Sequence, residues 1–344
     1  MPVRTPLASA CLALVASCTP AAHPGSTAEV DAPLEADAAP ALPDFCNATD
    51  PRAVPVTVVA TPEAGEQPYI DALAQARTKI RVEIYEMGYG AILDQLVAKL
   101  GAGVAVEIIF DQSAKSVNQK YYDQLAAAGA QVKWSDPAFM YQHAKFIVVD
   151  DVTSVMSTGN FSRTYSILLE RNFVATDSDR ADVADLIALF DADWQGVAPA
   201  MACTRLVIAP INARARILDV IDGATSTLTI ESMQFADTAV REAVKARVAA
   251  GVAVRVMIAD TAWVTSNTSA VAFLKGLGLT VKSIPHLHTK VIVADGTAAY
   301  LGSENLSQTS LDHNREVGLI VTDAASIAPL ATTFEADWAA GTAL

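Results

Sequence analysis

Two histidines and two lysines stand at spacings in this chain that could support phosphoryl chemistry. His143 is followed by Lys145, by Asp150 five residues after the lysine, and by Asn160 ten residues after the aspartate. The same residue types recur at the same offsets in the second half of the chain, at His288, Lys290, Asp295 and Asn305. Two copies of so specific a pattern are hard to obtain by chance, so we treat both as parts of a functional site.

These residue types suit the cleavage of a phosphodiester, which is anionic and resists attack. The lysines and asparagines offer hydrogen-bond donors to the non-bridging oxygens. One histidine can attack phosphorus and form a phosphohistidine, while the other protonates the departing alcohol and then activates water or an acceptor alcohol. We expect no cofactor. We also expect no metal, because the lysine ammonium of each HxK pair would repel a cation.

Strand geometry explains how each motif brings its side chains together. Residues two apart on a strand point to the same face, so His143 and Lys145 are predicted to lie side by side. A buried strand is predicted over residues 145–149, and the asparagine follows at the end of the next short strand. We expect Asp150 and Asp295 to be structural and to hold the turn after each motif strand.

The duplication extends well beyond the motifs and predicts two domain-sized lobes. Ala102–Val106 recurs as Ala250–Val254, and Phe190–Trp194 recurs in related form as Phe334–Trp338. Strand and helix signals alternate in each half, which implies crossover units. The prediction is an α/β fold with two pseudo-symmetric lobes, each a mostly parallel or mixed sheet flanked by helices. The lobes span residues 54–200 and 201–344.

The repeated motif resembles the phospholipase D superfamily, whose members carry HxKxxxxD followed by GSxN. The second copy has the complete tail, Gly302 to Asn305, and the first reads Ser157-Thr158-Gly159-Asn160, which keeps a hydroxyl and the asparagine. The resemblance implies the phospholipase D fold, with both half-sites in one cleft of a monomer. Hydroxyls at Thr158 and Ser303 are then expected to assist phosphate binding beside the asparagines.

The resemblance also implies roles for individual residues. The histidine of the first motif, His143, is expected to be the nucleophile, and His288 the general acid and base. Family members carry an acidic or amide residue that orients the histidine of the opposite lobe. Glu170 and Glu316 lie twenty and twenty-one residues after the motif aspartates. The implied pairs are Glu316 with His143 and Glu170 with His288.

The N-terminal residues have the composition of an export signal. Residues 1–17 contain a short apolar run behind Arg4, and Leu14 to Cys18 resembles a bacterial lipobox. We predict a signal peptide, lipidation of Cys18, and a flexible tether over residues 18–53 that is rich in Ala, Pro and acidic residues. An ordinary cleaved signal is the alternative. The expected location is the bacterial cell envelope, anchored by lipid to the outer membrane and facing the periplasm or the surface.

Two further cysteines, Cys46 and Cys203, follow the signal region. Export would place them in an oxidising compartment, where a disulfide between the start of lobe one and the link to lobe two is expected. Two unrelated buried thiols are the alternative.

The favoured function is an exported phosphodiesterase of the phospholipase D type that hydrolyses glycerophospholipid head groups. Its expected partners are phospholipid, the membrane surface, and water or an alcohol as acceptor. A cardiolipin-synthase-like transphosphatidylase and an exported nuclease are the alternatives. The formal net charge of −14 disfavours a nucleic-acid substrate. A catalytically silent binding lipoprotein is disfavoured because both motifs keep their histidine, lysine and asparagine.

Overall fold

The computed structural model describes residues 46–201 and 203–344. The predicted signal peptide, Cys18 and the predicted tether up to residue 45 lie outside the described residues. The rest of the chain forms two lobes, each built on its own sheet with helices on the sheet faces.

Lobe one is a seven-stranded mixed sheet with the strand order β1-β7-β6-β5-β2-β3-β4. Its strands are β1 Thr57–Thr61, β2 Lys79–Ile84, β3 Ala105–Phe110, β4 Gln131–Trp134, β5 Lys145–Val149, β6 Thr153–Ser157 and β7 Asn172–Asp177. Its helices are α1 Gln67–Gln75, α2 Ala91–Gly101, α3 Lys115–Ala127 and α4 Arg180–Gln195, and a short π-helical segment spans Arg163–Ile167.

Lobe two repeats this plan in an eight-stranded sheet with the order β15-β11-β10-β9-β12-β13-β14-β8. Its strands are β8 Val207–Ala209, β9 Thr227–Ser232, β10 Ala253–Ile258, β11 Val281–Ser283, β12 Lys290–Ala294, β13 Ala298–Gly302, β14 Glu316–Val321 and β15 Thr342–Ala343. Its helices are α5 Ala213–Gly223, α6 Thr238–Ala249, α7 Asn267–Gly276, α8 Gln308–Asp312 and α9 Ala324–Ala340.

The predicted α/β architecture of two lobes with helix-flanked sheets is confirmed, and both sheets are mixed. Parallel pairing is confined to β2-β3-β4 in lobe one and to β9-β10-β11 in lobe two. The strands that follow each motif pair antiparallel instead. The reason is local, because β5 and β6 are joined by a tight turn that leaves no room for a helical crossover.

A shared apolar core fixes the two lobes against each other. Met156 and Phe173 of lobe one belong to the same buried cluster as Leu301 and Leu319 of lobe two. All four side chains are at most 5% exposed. The sheet regions that carry the motif tails therefore meet across a packed interface, and the two half-sites cannot separate without exposing apolar surface.

The segment that follows the tether is tied to both lobes. Cys46 forms a disulfide with Cys203. Arg52 donates to Asp182 at 2.6 Å and to the carbonyl of Ile320 in lobe two at 2.7 Å. In residues 46–201 and 203–344 no helix has the length and apolar character that crossing a bilayer requires.

Candidate active site

The two HxK pairs lie at the interface between the lobes. Lys145 and Lys290 are the first residues of β5 and β12 and are at most 1% exposed. Each lysine donates to the backbone carbonyl of its own motif histidine. Lys290 also donates across the interface to the carbonyl of Thr158 at 3.1 Å. The two half-sites therefore form one connected cluster.

His143 is oriented by a carboxylate from the opposite lobe. Its Nδ1 lies 2.7 Å from Oε2 of Glu316, the first residue of β14. The other carboxylate oxygen accepts from the Ser310 hydroxyl and from Asn314 Nδ2. The predicted pair of His143 and Glu316 is present, and it leaves Nε2 of the histidine as the nitrogen free to react.

His288 has an amide partner rather than the predicted carboxylate. Its Nδ1 lies 2.9 Å from Oδ1 of Asn172, the first residue of β7, and 3.7 Å from Glu170. Asn172 is thus the hydrogen-bonding partner, and Glu170 lies just beyond hydrogen-bond distance. The structure corrects this part of the sequence prediction. The two half-sites differ in charge, because Glu316 is replaced by a neutral amide at the equivalent position.

The equivalence of Asn172 and Glu316 follows from the backbone contacts around them. Phe173 donates its N–H to Thr158 Oγ1 and Val317 donates to Ser303 Oγ, each at 3.0 Å. The repeated Arg-x-apolar triplet at residues 171–173 and 315–317 carries this match. Glu170 corresponds to Glu316 by residue type, whereas alignment of the two arginines makes Asn172 the residue that corresponds to Glu316.

The same contacts give Thr158 and Ser303 a structural role, and phosphate binding by their hydroxyls stays a prediction. Their side chains are fully buried, and each hydroxyl accepts from the backbone of the following strand. The Thr158 hydroxyl also donates to Asn172 Oδ1 at 2.9 Å. These hydroxyls therefore fix the residue that orients the opposite histidine.

The motif asparagines keep unsatisfied polar atoms at the cluster. Asn160 Nδ2 lies 3.4 Å from Glu86 Oε2. The side-chain carbonyl oxygens of Asn160 and Asn305 are buried and have no hydrogen-bond partner among the described residues. Buried polar atoms without partners are costly in a folded protein, and such groups are frequent where a polar ligand binds.

Burial shapes the electrostatics of the cluster. Burial lowers the pKa of His143, while Glu316 opposes that shift. Burial and the fields of Lys290 and Lys145 lower the pKa of His288 well below its usual value. Burial also lowers the pKa of Lys145 to about 8, against the opposing charge of Glu316. Burial and mutual repulsion thus disfavour the protonated forms of these groups, and an anionic ligand that restores those forms is favoured.

One buried acid near the cluster, Glu304, is largely uncharged. Glu304, in the tail of the second motif, has no solvent exposure and accepts from the Tyr300 hydroxyl at 2.6 Å. Burial and the nearby charge of Glu316 raise the pKa of Glu304 to about 8. It is therefore mainly protonated at neutral pH and adds little negative charge to the site.

The motif aspartates hold the turns that end β5 and β12. Asp150 accepts from the backbone N–H groups of residues 77–79, and Asp295 from those of residues 225–227. Both have φ angles above 50°, a region that Asp and Asn tolerate better than most residues. They lie at the far end of each strand from the histidine and have the structural contacts predicted for them.

Comparison with known proteins identifies the family. The family model described as "Cardiolipin synthase, PLD-like domain" matches residues 69–194 and 217–338, one match in each lobe. The chain belongs to the phospholipase D superfamily.

Named relatives and one solved structure extend this result. Cardiolipin synthase from Oceanobacillus iheyensis is 22% identical over 312 residues, which cover 78% of this chain and 65% of that protein. Cardiolipin synthase from Clostridium perfringens strain 13 is 22% identical over 73% of this chain and 63% of its own length. The chain thus spans less than two thirds of these relatives. Phosphatidylserine synthase from Haemophilus influenzae Rd KW20 has the same fold, with a TM-score of 0.66, 14% identity, and coverage of 88% of this chain and 89% of that one.

Two arginine bridges in this phospholipase D superfamily enzyme escaped the sequence analysis. Arg315, which directly precedes β14, binds Asp193 of α4 through two hydrogen bonds of 2.7 and 2.9 Å. Arg171 binds Asp337 of α9 through one hydrogen bond of 3.1 Å and an ion-pair contact of 2.7 Å between Nε and Oδ2. Each arginine thus binds the closing helix of the opposite lobe. The two aspartates are equivalent positions of the repeated segment that ends in tryptophan.

The backbone of each arginine also supports the opposite motif. The carbonyl of Arg315 accepts from the N–H groups of His143 and Ala144, at 2.8 and 2.9 Å. The carbonyl of Arg171 accepts from the N–H of His288 at 3.1 Å. Each bridge therefore fixes the histidine backbone, and the residue that follows the arginine holds the imidazole.

The arrangement brings together imidazole, ammonium and amide groups, which are chemically capable of acid–base, nucleophilic and phosphate-binding steps. Among residues 46–201 and 203–344, no group of three or more His, Cys, Asp or Glu side chains has an arrangement that could hold a metal ion.

Proposed function

We propose that this enzyme transfers a phosphatidyl group from a phospholipid to an alcohol, in the manner of a cardiolipin synthase. The observation that carries the proposal is the pair of unequal histidines, one with a carboxylate partner and one with an amide partner, in a single buried cluster. Motif patterns alone favoured hydrolysis, but relatives that bear the name cardiolipin synthase favour transfer.

His143 is suited to be the nucleophile. Its Nε2 attacks phosphorus, a P–N bond forms, and the P–O bond to the head-group alcohol breaks with its electron pair leaving on oxygen. Glu316, 2.7 Å from Nδ1, stabilises the positive charge that the phosphorylated imidazole acquires. The carboxylate partner therefore supports the covalent step directly.

His288 is suited to be the general acid and base. A bound phosphodiester places a negative charge near Lys145 and Lys290, which favours the protonated imidazole in the complex. Because the resting pKa of His288 lies well below its usual value, the protonated ring gives its proton readily to the leaving oxygen. The neutral ring then accepts a proton from the incoming alcohol.

The lysines and asparagines are suited to bind the non-bridging oxygens. Both ammonium groups already lie at the interface, and the side-chain amides of Asn160 and Asn305, whose Nδ2 groups can donate, lie on the tails of the two motifs. Donors that are fixed before substrate binds stabilise a developing charge without reorganisation.

A product analysis on vesicles tests the proposal. The purified protein is incubated with phosphatidylglycerol vesicles, and cardiolipin, phosphatidic acid and free glycerol are measured, with His143→Ala as the inactive control. We expect cardiolipin as a product, unchanged in amount by EDTA. Phosphatidic acid with no transfer to lipid or alcohol would instead establish a hydrolase.

A nuclease is the second candidate, and the acidic chain argues against it. With a formal net charge of −14, the protein repels polyanionic DNA unless a basic groove offsets that field. Single- and double-stranded DNA therefore belong in the same assay. DNA cleavage faster than lipid turnover at moderate salt would overturn the proposed substrate class.

Lipid anchoring in the cell envelope remains part of the proposal. Its support is the lipobox-like segment that ends at Cys18. Acyl chains would hold the enzyme at the membrane that contains its substrate, with about 0.8 kcal/mol from each buried methylene. The full-length protein should partition into detergent, and Cys18→Ser should move it to the aqueous phase. Equal partitioning of both proteins would refute the anchor.

A further inference from the structure

A cavity of about 560 Å³ opens beside His288 and is lined by both lobes. Lobe one contributes the segment that contains the π-helical turn, and lobe two contributes the loops after β10 and β11. The cavity lining includes Tyr165, Leu169, Glu170, Trp263, Pro285 and His286.

The cavity borders the candidate active site at His288. Glu170 lies 3.7 Å from Nδ1 of His288, and the Trp263 ring centroid lies 6.3 Å from the His288 ring centroid. The cavity wall therefore includes two residues, Glu170 and Trp263, that flank the imidazole of His288. Glu170 and Asp260 add oxygen acceptors for hydroxyl groups at the cavity wall.

Large apolar side chains are exposed at this cavity. Tyr165, Leu169 and Trp263 are 65%, 42% and 43% exposed, and the neighbouring Leu168 is 44% exposed. Grouped apolar side chains at a site entrance cost free energy in water and indicate an apolar ligand.

The duplication shows that this apolar wall belongs to one half of the site. The segment after Phe161, which pairs with Met87, corresponds to the segment after Leu306, which pairs with Phe235. In lobe two that segment forms α8, and its apolar residue Leu311 is buried. The π-helical segment and its exposed side chains have no counterpart beside His143. A short π-helical turn in one copy only is typical of a functional departure.

We propose that this cavity is the acceptor subsite and that it takes an amphiphilic alcohol, a lipid whose head group ends in a hydroxyl. The inference rests on the proposed transfer reaction. The acceptor must approach His288, because this histidine takes its proton. Water or a small alcohol would gain nothing from an apolar wall of this size, whereas a lipid acceptor would bury it.

The transfer step involves the acceptor hydroxyl, the phosphatidyl-His143 intermediate and His288. The acceptor hydroxyl oxygen attacks phosphorus of the phosphatidyl-His143 intermediate and forms the new P–O bond. The P–N bond breaks, and its electron pair returns to Nε2 of His143. The hydroxyl proton passes to His288, which thereby recovers the protonated form required for the next cycle.

Product partitioning tests this assignment. Wild type, Trp263→Ala and Leu169→Ser are compared on phosphatidylglycerol vesicles with glycerol present, and cardiolipin, phosphatidic acid and glycerol-exchange product are quantified. Val152→Ser is the matched control, since Val152 is exposed and lies at the far end of β5 from Lys145. We expect the ratio of cardiolipin to phosphatidic acid to fall roughly tenfold in both cavity variants. The control should keep the wild-type ratio.

The outcomes separate this inference from the proposed function. An unchanged ratio in both cavity variants, or an equal loss of all three products, would overturn the acceptor subsite while transfer by the wild type upheld the proposed function. A wild type that makes only phosphatidic acid would overturn the proposed function and the subsite with it.

Discussion

Arg315 binds Asp193 across the lobe interface, while its neighbour Glu316 holds the imidazole of His143. One short segment of lobe two thus fixes the closing helix, the backbone and the side chain of the opposite half-site. Beneath it lies Glu83, fully buried, whose pKa is raised by burial and by the charge of Asp193. The arrangement is a positioning device, since neither Arg315 nor Asp193 contacts the reacting nitrogen.

Arg315→Lys should therefore impair catalysis while it preserves the charge. A lysine cannot form the paired hydrogen bonds to Asp193, so the imidazole of His143 should be held less precisely against Glu316. We expect kcat to fall about 10- to 100-fold with a smaller change in KM. Arg214→Lys is the matched control, because Arg214 binds Asp237 and Asp312 on the outer side of lobe two. Equal effects of the two variants on kcat, or a loss confined to thermal stability, would contradict a positioning role.

The unequal partners of the two histidines predict unequal variants. Glu316→Gln should lower kcat by about 100-fold or more, because the charge that stabilises the phosphorylated His143 is lost.

Asn172→Asp should instead raise the pKa of His288, since a carboxylate favours the imidazolium. The neutral base needed for the second step would then appear only at higher pH. A pH profile of kcat should show its acidic limb displaced upward in Asn172→Asp, and an unmoved limb would refute the assignment of His288 as the base.

The local parts of the site could be predicted from the sequence, and the family resemblance supplied the pair of Glu316 and His143. Other contacts between the lobes could not be predicted. The strand over Lys145–Val149 and the common face of His143 and Lys145 follow from strand periodicity and the motif spacing. Asn172 and the bridge from Arg315 to Asp193 join residues more than 100 positions apart. Their pairing depends on how the lobes pack, which no local pattern encodes.

The sheet direction shows the same limit. Alternating strand and helix signals predict crossovers, and they hold for β2-β3-β4. The strands β6 and β7 follow β5 through a turn and the π-helical segment rather than through crossover helices, so their pairing is antiparallel. The exposed apolar side chains of that segment follow neither helix nor strand periodicity, so the sequence does not predict the cavity beside His288.

Lys145 predicts an alkaline limit to activity. Its pKa is lowered to about 8 by burial, so the ammonium that binds phosphate is present below that pH and is lost above it. We expect kcat/KM of the wild type to decline above about pH 8. Lys145→Arg, if it retains measurable turnover, should lose this decline because guanidinium stays charged. An alkaline limb at the same pH in both proteins would assign it to another group.

Asp150 predicts a pH-dependent contribution to stability rather than to catalysis. Burial raises its pKa, but the hydrogen bonds from Lys79, Thr78 and Arg77 together outweigh burial and lower it to about 2. A depressed carboxylate pKa stabilises the folded protein above the ordinary value near 4, and that stabilisation is lost as pH falls toward 2. Asn tolerates the positive φ of this turn, so Asp150→Asn isolates the charge from the backbone conformation.

We expect Asp150→Asn to lower the free energy of unfolding at pH 7 by about 1 kcal/mol, a modest value because the carboxylate is partly solvated. Urea unfolding at pH 7, 5 and 3 provides the measurement. The difference from wild type should be constant between pH 7 and 5 and smaller at pH 3, while kcat at pH 7 stays at the wild-type value. A difference that grows as pH falls, or a large loss of kcat in folded protein, would place Asp150 in the catalytic machinery instead of in the turn.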